Sequence, residues 1–279
     1  MPSPSCADVS TTGGKDIRRR GYIDGPLGQV HYWVAGNGPS LVLLHQSGNS
    51  GDEFASLVPH LAGHYRMIVP DLPGHGLSAD PIREPTVDDY TDAVDQVLSD
   101  VGVARFSVVG HHGGALAAMN LAARHPERII KTVLSGTSAP RSDADTNAFI
   151  ESILAVDTRL RRDPAFMADA WERYVGMASD GAQVEDIARP FIQFLQARLR
   201  PFRGVLVNLR WRGRAAALAK LRGPVLLLQG DRDRFVSDTE ALTALITNSR
   251  YQRLAGCGTF MFYDRATDCA TVIHEFLSE

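Results

Sequence analysis

Residues 110–114 read GHHGG and lie between an apolar run, RFSVV, and an alanine-rich run, ALAAMNLAARHP. The first run predicts a buried strand and the second predicts a helix. Gly110 and Gly114 leave room for the backbone to turn sharply between the two elements. The residue at the centre of such a turn takes a strained conformation in which histidine is enriched. The joint therefore holds the side chain of His112 up for chemistry.

A histidine at this joint is suited to acid–base work. The helix that follows directs free N–H groups and a partial positive charge at the same place. Because that charge opposes a second positive charge on the ring, a neutral imidazole is favoured, which can accept a proton. A positioned general base contributes about 10²–10⁴-fold to a rate. His111 points the other way along the turn, so we expect it to pack in the interior.

Short apolar runs alternate with helical patterns along most of the chain. LVLLH, RMIVPD, RFSVVG and PVLLLQG lack polar alternation, as strands covered on both faces do. GQVHYWVAG alternates and predicts one arm of an exposed hairpin. Alternating strands and helices predict a mainly parallel sheet with right-handed crossovers. From 139 to 221 the pattern is helical, and an insertion there should lie over the C-terminal strand ends, where ligands bind in such sheets.

Five segments together resemble the α/β-hydrolase fold superfamily, in its haloperoxidase- and esterase-like branch. LVLLHQSGNSGDEF is similar to its oxyanion strand and loop, IVPDLPGHGLS to its Asp-x-x-Gly-x-Gly-x-Ser loop, and VVGHHGGALA to its Gly-x-Ser-x-Gly elbow. GDRDRFVS resembles the segment that carries the catalytic acid, and LAGCGTF the loop that carries the catalytic histidine. The likeness begins at about Gly21 and covers nearly all of the remaining chain.

The resemblance implies an α/β fold with a mainly parallel, eight-stranded sheet flanked by helices and a helical cap inserted after the sixth strand. We expect an α/β-hydrolase core at 17–138 and 222–279 and the cap at 139–221. Residues 1–16, rich in Ser, Thr, Gly and Pro, are predicted to be a disordered tail.

Carried over residue by residue, the resemblance places His112 at the nucleophilic serine, Asp233 at the catalytic acid and Thr259 at the catalytic histidine. Removal of the serine or the histidine from a serine hydrolase costs roughly 10⁶-fold in rate, so the acyl-enzyme route lacks both nucleophile and base. Compared with the family pattern, position 112 has an imidazole in place of a hydroxyl, and position 259 has a hydroxyl in place of an imidazole. We infer that the base is transposed to His112, within reach of Asp233. Thr259 is either a hydrogen-bonding partner or a simple loop residue.

The resemblance also predicts where developing negative charge would be stabilised. The N–H of Gly113 faces the position of an enolate or oxyanion, and one such donor is worth about 10²–10³-fold. A second donor would come from Ser47, in the loop that contains Gln46. The family's usual His-Gly is His45-Gln46 here, and we expect His45 to pack beneath the loop.

The helical insertion is rich in aromatic and basic residues. Trp171 and Trp211 could wall an apolar substrate pocket, although packing of the cap on the core would need aromatic side chains equally. Residues 187–223 contain nine basic and no acidic residues. The ordinary explanation is that these residues form a solvated helical face. The alternative is that one or two of the arginines hold an anionic or polyphenolic substrate. The arginines include Arg198, Arg200, Arg203, Arg210, Arg212 and Arg214.

The composition of the chain indicates which classes of binding partner and cofactor to expect. With 44% hydrophobic residues, 22% charged residues and a net charge of −3, the chain gives no reason to expect nucleic acid or membrane as a partner. Three cysteines are too few for a disulfide framework, and His112 with Asp233 makes too few ligands for a metal, so no cofactor is expected. The N-terminus lacks the apolar core of a signal peptide, which favours the cytoplasm. We expect a small-molecule substrate and a monomer or homodimer.

Two classes of function fit these residues. The first is an enzyme that acts on a small carbonyl-containing molecule by general acid–base catalysis from His112, in a lyase, cyclisation or decarboxylation step. Hydrolysis through a His-activated water and cofactor-free oxygen chemistry stay open within this class. The second is a catalytically inactive protein that kept the pocket for binding. A third hypothesis is an engineered variant with altered serine and histidine positions.

Overall fold

The computed structural model describes residues 17–160, 163–198 and 204–279. The predicted tail at 1–16 lies outside these ranges. Arg200 and Arg203 also lie outside them, and the side chain of Arg198 is not described.

Eight strands form one sheet, as predicted. In chain order they are β1 (Arg19–Gly25), β2 (Gly28–Ala35), β3 (Ser40–Leu44), β4 (Arg66–Pro70), β5 (Phe106–His111), β6 (Ile129–Ser135), β7 (Val225–Gly230) and β8 (Ser249–Leu254). Their order across the sheet is β1-β2-β4-β3-β5-β6-β7-β8. Only the pairs β1–β2 and β2–β4 are antiparallel, and the other five pairs are parallel. The expectation of a mainly parallel sheet is confirmed.

Helices connect these strands. They are α1 (Val58–Leu61), α2 (Val87–Asp100), α3 (Gly113–Arg124), α4 (Asp143–Leu160), α5 (Phe166–Met177), α6 (Val184–Arg198), α7 (Gly204–Arg210), α8 (Arg214–Leu218), α9 (Thr239–Leu245), α10 (Met261–Asp264) and α11 (Ala266–Ser278). None of the described helices combines the length and the apolar composition needed to cross a membrane.

The sheet is buried between two apolar layers. In β3, Val42 and Leu44 pack with residues of α2, α3 and α8, whereas Leu41 and Leu43 pack with residues of α1, α10 and α11. All four side chains have no exposed surface. Successive side chains of a strand point to opposite faces, so a strand buried on both faces has to be apolar at every position. This explains why β3, β5 and β7 are mostly apolar and show no polar alternation in the sequence.

Helices α4–α8 all lie between β6 and β7, the segment in which a helical cap was predicted. Aromatic side chains of α5 and α6 pack on each other and, through Tyr174, on the residues that follow β8. Tyr174 stacks on Phe260 at 4.9 Å between ring centroids, and Phe191 meets Trp171 edge-on at 5.3 Å. These contacts place the insertion over the C-terminal ends of the parallel strands, where the candidate catalytic side chains lie. The boundaries at 139 and 221 stay predictions.

Candidate active site

His112 occupies a strained backbone turn between β5 and α3. Its φ of 46° and ψ of −108° make it the one non-glycine residue with positive φ in the described part of the chain. Such a conformation costs about 1–3 kcal/mol and persists where the surrounding structure enforces it. Here the enforcement is close packing: a Cβ added to Gly114 would lie 2.0 Å from the Leu44 carbonyl oxygen, and one on Gly110 would lie 2.4 Å from the Gly114 carbonyl oxygen. Only glycine fits at either position.

The ring of His112 is anchored at one nitrogen. Its Nε2 lies 2.8 Å from Oδ2 of Asp233, and its edge rests on Gly136, where a Cβ would lie 2.4 Å from the ring. The ring of Phe235 lies 5.3 Å away, centroid to centroid. No described residue makes a hydrogen bond to Nδ1, and 12% of the side chain stays exposed. The ring is therefore held firmly while one nitrogen remains available.

Asp233 lies in the loop after β7 and is a saturated, buried acceptor. Its Oδ2 accepts hydrogen bonds from His112 and from the hydroxyl of Thr259 at 3.0 Å, and its Oδ1 accepts from the N–H of Phe235 at 2.9 Å and from Gln229 at 3.2 Å. Burial alone would raise the pKa of this carboxyl, but the interactions with His112 and with the N–H of Phe235 outweigh it and hold the pKa well below its usual range. Asp233 is therefore ionised, and Thr259 supports it.

The Gly113 end of α3 meets the loop after β3. A Cβ added to Gly113 would lie 2.1 Å from Oγ of Ser47 and 3.0 Å from the backbone nitrogen of Ser47. Glycine at this position therefore permits the start of α3 and the loop after β3 to approach closely. No described residue accepts a hydrogen bond from the N–H of Gly113 or of Ser47. The Ser47 hydroxyl accepts one from Asn208 of α7 at 2.7 Å. Two free N–H groups and a positioned hydroxyl therefore border the site.

A cavity of about 400 Å³ opens above His112. The predicted residues Gln46, Ser47, His112, Gly113 and Thr259 line it, together with apolar side chains of the core and of the helices between β6 and β7. This volume lies within the range of about 300–1,000 Å³ that is typical of small-molecule sites. The site thus has the size and the mixed lining of a pocket for one small organic molecule.

Comparisons with known proteins agree with this architecture. A family model described as alpha/beta hydrolase fold matches residues 39–173. The pimeloyl-[acyl-carrier protein] methyl ester esterase of Aromatoleum aromaticum is 33% identical over 261 residues, which cover 86% of this chain and 98% of that esterase. This chain belongs to the α/β-hydrolase fold family.

Solved α/β-hydrolase structures superpose on most of the chain. A thermophilic esterase from Thermogutta terrifontis aligns with a TM-score of 0.80 at 21% identity, over 93% of this chain and 98% of that chain. An enol-lactonase from Burkholderia xenovorans aligns with a TM-score of 0.78 at 21% identity, over 93% of this chain and 100% of that chain. At this identity the likeness concerns the fold.

The two tryptophans expected in the pocket wall lie elsewhere in this α/β-hydrolase. Neither Trp171 nor Trp211 is among the described residues that line the cavity. Trp171 packs against Phe191, and Trp211 packs at the edge of the core layer that contains α3. Periodicity could not decide this, because the helices of the insertion bury aromatic side chains against each other as well as against the cavity.

Sequence reasoning did not identify Glu53 as a site residue. Its carboxylate is fully buried and accepts hydrogen bonds from the backbone N–H of Gln46 at 2.8 Å, from the Gln46 side-chain amide at 3.0 Å and from Nδ1 of His111 at 2.5 Å. Burial lowers the pKa of His111 against the opposing effect of Glu53, so the ring is neutral and donates its Nδ1–H. The ring of His111 lies 4.6 Å from that of His112, centroid to centroid. Glu53 therefore ties the Gln46 loop to the elbow.

Replacement of Glu53 by alanine is expected to destabilise the fold by about 3–5 kcal/mol, because three buried donors would lose their acceptor together. The Glu53→Gln variant is the matched control, and its free energy of unfolding should fall by less. It keeps one acceptor oxygen, and His111 can exchange tautomers to face the new amide. Urea unfolding at neutral pH measures both values. A loss below about 1 kcal/mol for the alanine variant would show that Glu53 does not hold the loop in place.

His45 fulfils its predicted packing role beneath the same loop. It is fully buried, and its Nδ1 donates to the carbonyl oxygen of Gln46 at 2.8 Å while its Nε2 accepts from the N–H of Leu72 at 3.0 Å. Both ring nitrogens are thus occupied by backbone. The substitution of glycine by Gln46 is accommodated because Glu53 holds the longer side chain.

Proposed function

We propose that this α/β-hydrolase is an enzyme that acts on a small carbonyl-containing organic substrate, with His112 as general acid–base and without a serine acyl-enzyme. The observation that carries this proposal is the anchoring of the His112 ring. Nε2 is bonded to the ionised Asp233, no described residue bonds to Nδ1, and the ring lines the cavity. One nitrogen is therefore occupied by a positioning residue while the other can meet a substrate proton.

The proton transfer follows from this tautomer. With Nε2–H donated to Asp233, the lone pair of His112 is on Nδ1. Nδ1 takes a proton from a carbon next to the substrate carbonyl, and the electrons of the broken C–H bond move to the carbonyl oxygen to form an enolate. The ring becomes an imidazolium, which the adjacent carboxylate stabilises. The imidazolium exchanges its proton with water and then returns a proton to the product, so the ring is restored.

The enolate or oxyanion would be stabilised at the start of α3. The N–H of Gly113 and the N–H of Ser47 border the cavity without partners in the described chain. Donors that are fixed before the reaction stabilise developing charge without reorganisation, and each is worth about 10²–10³-fold. Asn208 holds the Ser47 hydroxyl and so fixes the position of this loop.

Two reaction types can use the base His112 and the N–H donors of Gly113 and Ser47. In a lyase or cyclisation step, the base takes a proton from carbon and the donors stabilise the enolate oxygen. In a decarboxylation, the C–C bond to the departing CO₂ supplies the electrons of the enolate, and the protonated ring then gives a proton to that carbon. Hydrolysis uses the base on a water molecule, whose hydroxide adds to the carbonyl while the imidazolium protonates the leaving group. The name of the related esterase, a methyl ester hydrolase, favours ester substrates for the hydrolytic route.

Proton abstraction can be tested without knowledge of the natural substrate. We expect wild-type protein in D₂O to accelerate exchange of the protons next to the carbonyl, or hydrolysis, for at least one compound that it binds from a set of ketones, 1,3-dicarbonyls, lactones and methyl esters. Proton NMR follows both reactions in one tube, and calorimetry measures binding. Compounds that bind without exchange or hydrolysis throughout the set would identify a binding protein instead.

A further inference from the structure

Three arginines line the cavity together with apolar side chains. They are Arg173 of α5, Arg214 of α8 and Arg234 of the loop after β7, and the described lining contains no aspartate or glutamate. Phe149, Phe194, Phe235 and Phe260 provide much of the remaining wall. A pocket with aromatic walls and unmatched guanidinium groups has the chemistry to bind an organic anion.

Arg214 is a buried cation whose known partners are all neutral. It is 9% exposed, and its Nη1 donates to the hydroxyl of Ser138 at 2.9 Å and to the carbonyl oxygen of Ala139 at 3.2 Å. Its Nε has no partner in the described structure. Burial, reinforced by the nearby Arg141, lowers the pKa of Arg214 to about 10 although Asp238 opposes the shift. A buried guanidinium with no carboxylate among its hydrogen-bond partners is unfavourable, and a bound anion would relieve this.

Arg234 lies close to the reacting histidine, and Asp233, the carboxylate whose charge acts on it, already accepts four hydrogen bonds from other residues. Its guanidinium lies over the rings of Phe149, at 5.0 Å, and Phe235, at 5.2 Å, and no described carboxylate forms an ion pair with it. Phe235 in turn contacts His112. An anion bound by Arg234 would therefore lie one aromatic ring away from the base.

The carboxylates in this part of the site are already engaged. Asp233 receives its hydrogen bonds from His112, Thr259, Phe235 and Gln229. Asp238 accepts from the N–H of Ala139 at 3.0 Å and pairs with Arg141 at 3.4 Å. The arginine cluster, defined here as Arg141, Arg214 and Arg234, thus has one more positive charge than these two carboxylates can match.

We propose that the substrate of this cavity is a carboxylate with an apolar body, and that Arg214 and Arg234 bind its carboxylate group. The proposal rests on the proposed function for the identity of the site and adds the class of molecule. The carbonyl of the substrate would face Gly113 and Ser47, the apolar body would lie against the phenylalanines, and the anion would satisfy the donors that Arg214 leaves open.

Matched pairs of acids and amides test this directly. The probes are benzoate, phenylacetate, 3-phenylpropionate and hexanoate, each compared with its primary amide, which has the same shape and no charge. Calorimetry at low salt should show that the wild type binds the best acid about tenfold or more tightly than its amide. The Arg214→Met and Arg234→Met variants should each reduce that preference by about tenfold or to none.

Two controls keep the result interpretable. Arg222→Met removes an exposed arginine of the same chain segment that does not line the cavity, and it should keep the preference. Thermal unfolding shows whether Arg214→Met still folds. If that variant does not fold, Arg234→Met alone tests the proposal, because it removes no hydrogen bond between described residues. The proposal is overturned if no acid binds the wild type more tightly than its amide, or if both cavity variants keep the preference.

The binding measurement separates this proposal from the proposed function. An acid preference that depends on Arg214 and Arg234, in a protein that transforms none of its ligands, would support the anion site and refute the acid–base enzyme. Turnover of neutral carbonyl compounds without any acid preference would support the enzyme and refute the anion site.

Discussion

The His112→Asn variant is expected to turn over substrate about 10²–10⁴-fold more slowly than the wild type while binding ligands with similar affinity. Among the described residues that line the cavity, His112 is the one histidine and none is an aspartate or glutamate, and an amide cannot replace the imidazole as a base. Asparagine tolerates the positive φ of this position. Its amide is shorter than the imidazole, so Asp233 keeps the hydrogen bonds from Thr259, Phe235 and Gln229 and loses the one from residue 112. The substitution therefore removes the base with little change to the turn.

Rates from D₂O exchange or hydrolysis, with ligand affinities from calorimetry, check this prediction. A drop in rate at constant affinity identifies a group that acts in the transition state. Thr259→Val is the comparison, because it removes one of the four hydrogen bonds to Asp233 and leaves the base in place. Its rate of turnover should therefore fall much less than that of His112→Asn. A His112→Asn variant that keeps more than about a tenth of the activity would exclude His112 as the general base.

The sequence was sufficient to predict the elements that hold this site, because the signals are local. A run of residues that is mostly apolar, without polar alternation, predicts a strand buried on both faces, and β3, β5 and β7 are such strands. The glycines around His112 predict a sharp turn because the packing excludes a Cβ. The approach of His112 to Asp233 was inferred from family order, and the structure places the ring 2.8 Å from that carboxylate. For Thr259 the sequence left a hydrogen-bonding role and a simple loop position open, and its hydroxyl bonds to the same oxygen of Asp233.

What sequence alone could not predict are partnerships between residues far apart in the chain. Glu53 and His111 are 58 residues apart, and Asn208 and Ser47 are 161 apart. An acidic residue in GDEF gives a weak signal, because an exposed glutamate is the ordinary case in such a segment. Arg234 follows Asp233 directly, yet only the course of the loop shows that its side chain faces the cavity.

The helical insertion shows a second limit. Its aromatic content predicts burial but does not say against which surface, and Trp171 and Trp211 pack away from the cavity whereas Tyr174 and Phe194 line it. The basic residues divide in the same way. Arg210 and Arg212 pair with Glu84 and Asp143 at the surface, whereas Arg214 is buried at the cavity.

The double substitution His112→Ser with Thr259→His is expected to restore a nucleophilic serine that fluorophosphonates label stoichiometrically. The elbow keeps its strained turn and its two enclosing glycines, so a serine at 112 would be presented like the histidine is now. The Thr259 hydroxyl already contacts Oδ2 of Asp233, so an imidazole at 259 starts within reach of the same carboxylate. The ring would occupy space that the loss of the His112 ring leaves open.

Intact-mass spectrometry and peptide mapping measure the labelling. Wild type should show none, and each single variant should react at least about 10³-fold more slowly than the double variant, since serine and histidine act as a unit. A folded double variant that stays unlabelled would mean that position 259 cannot direct a ring toward residue 112, and the two substitutions would then not be an exchange of roles. Labelling of the double variant alone would show that the pocket still contains both arrangements of one imidazole, one hydroxyl and one carboxylate. In that case the identity of residue 112 decides whether the site acts through a covalent serine or through a base, because the carboxylate, the turn and the N–H donors serve both.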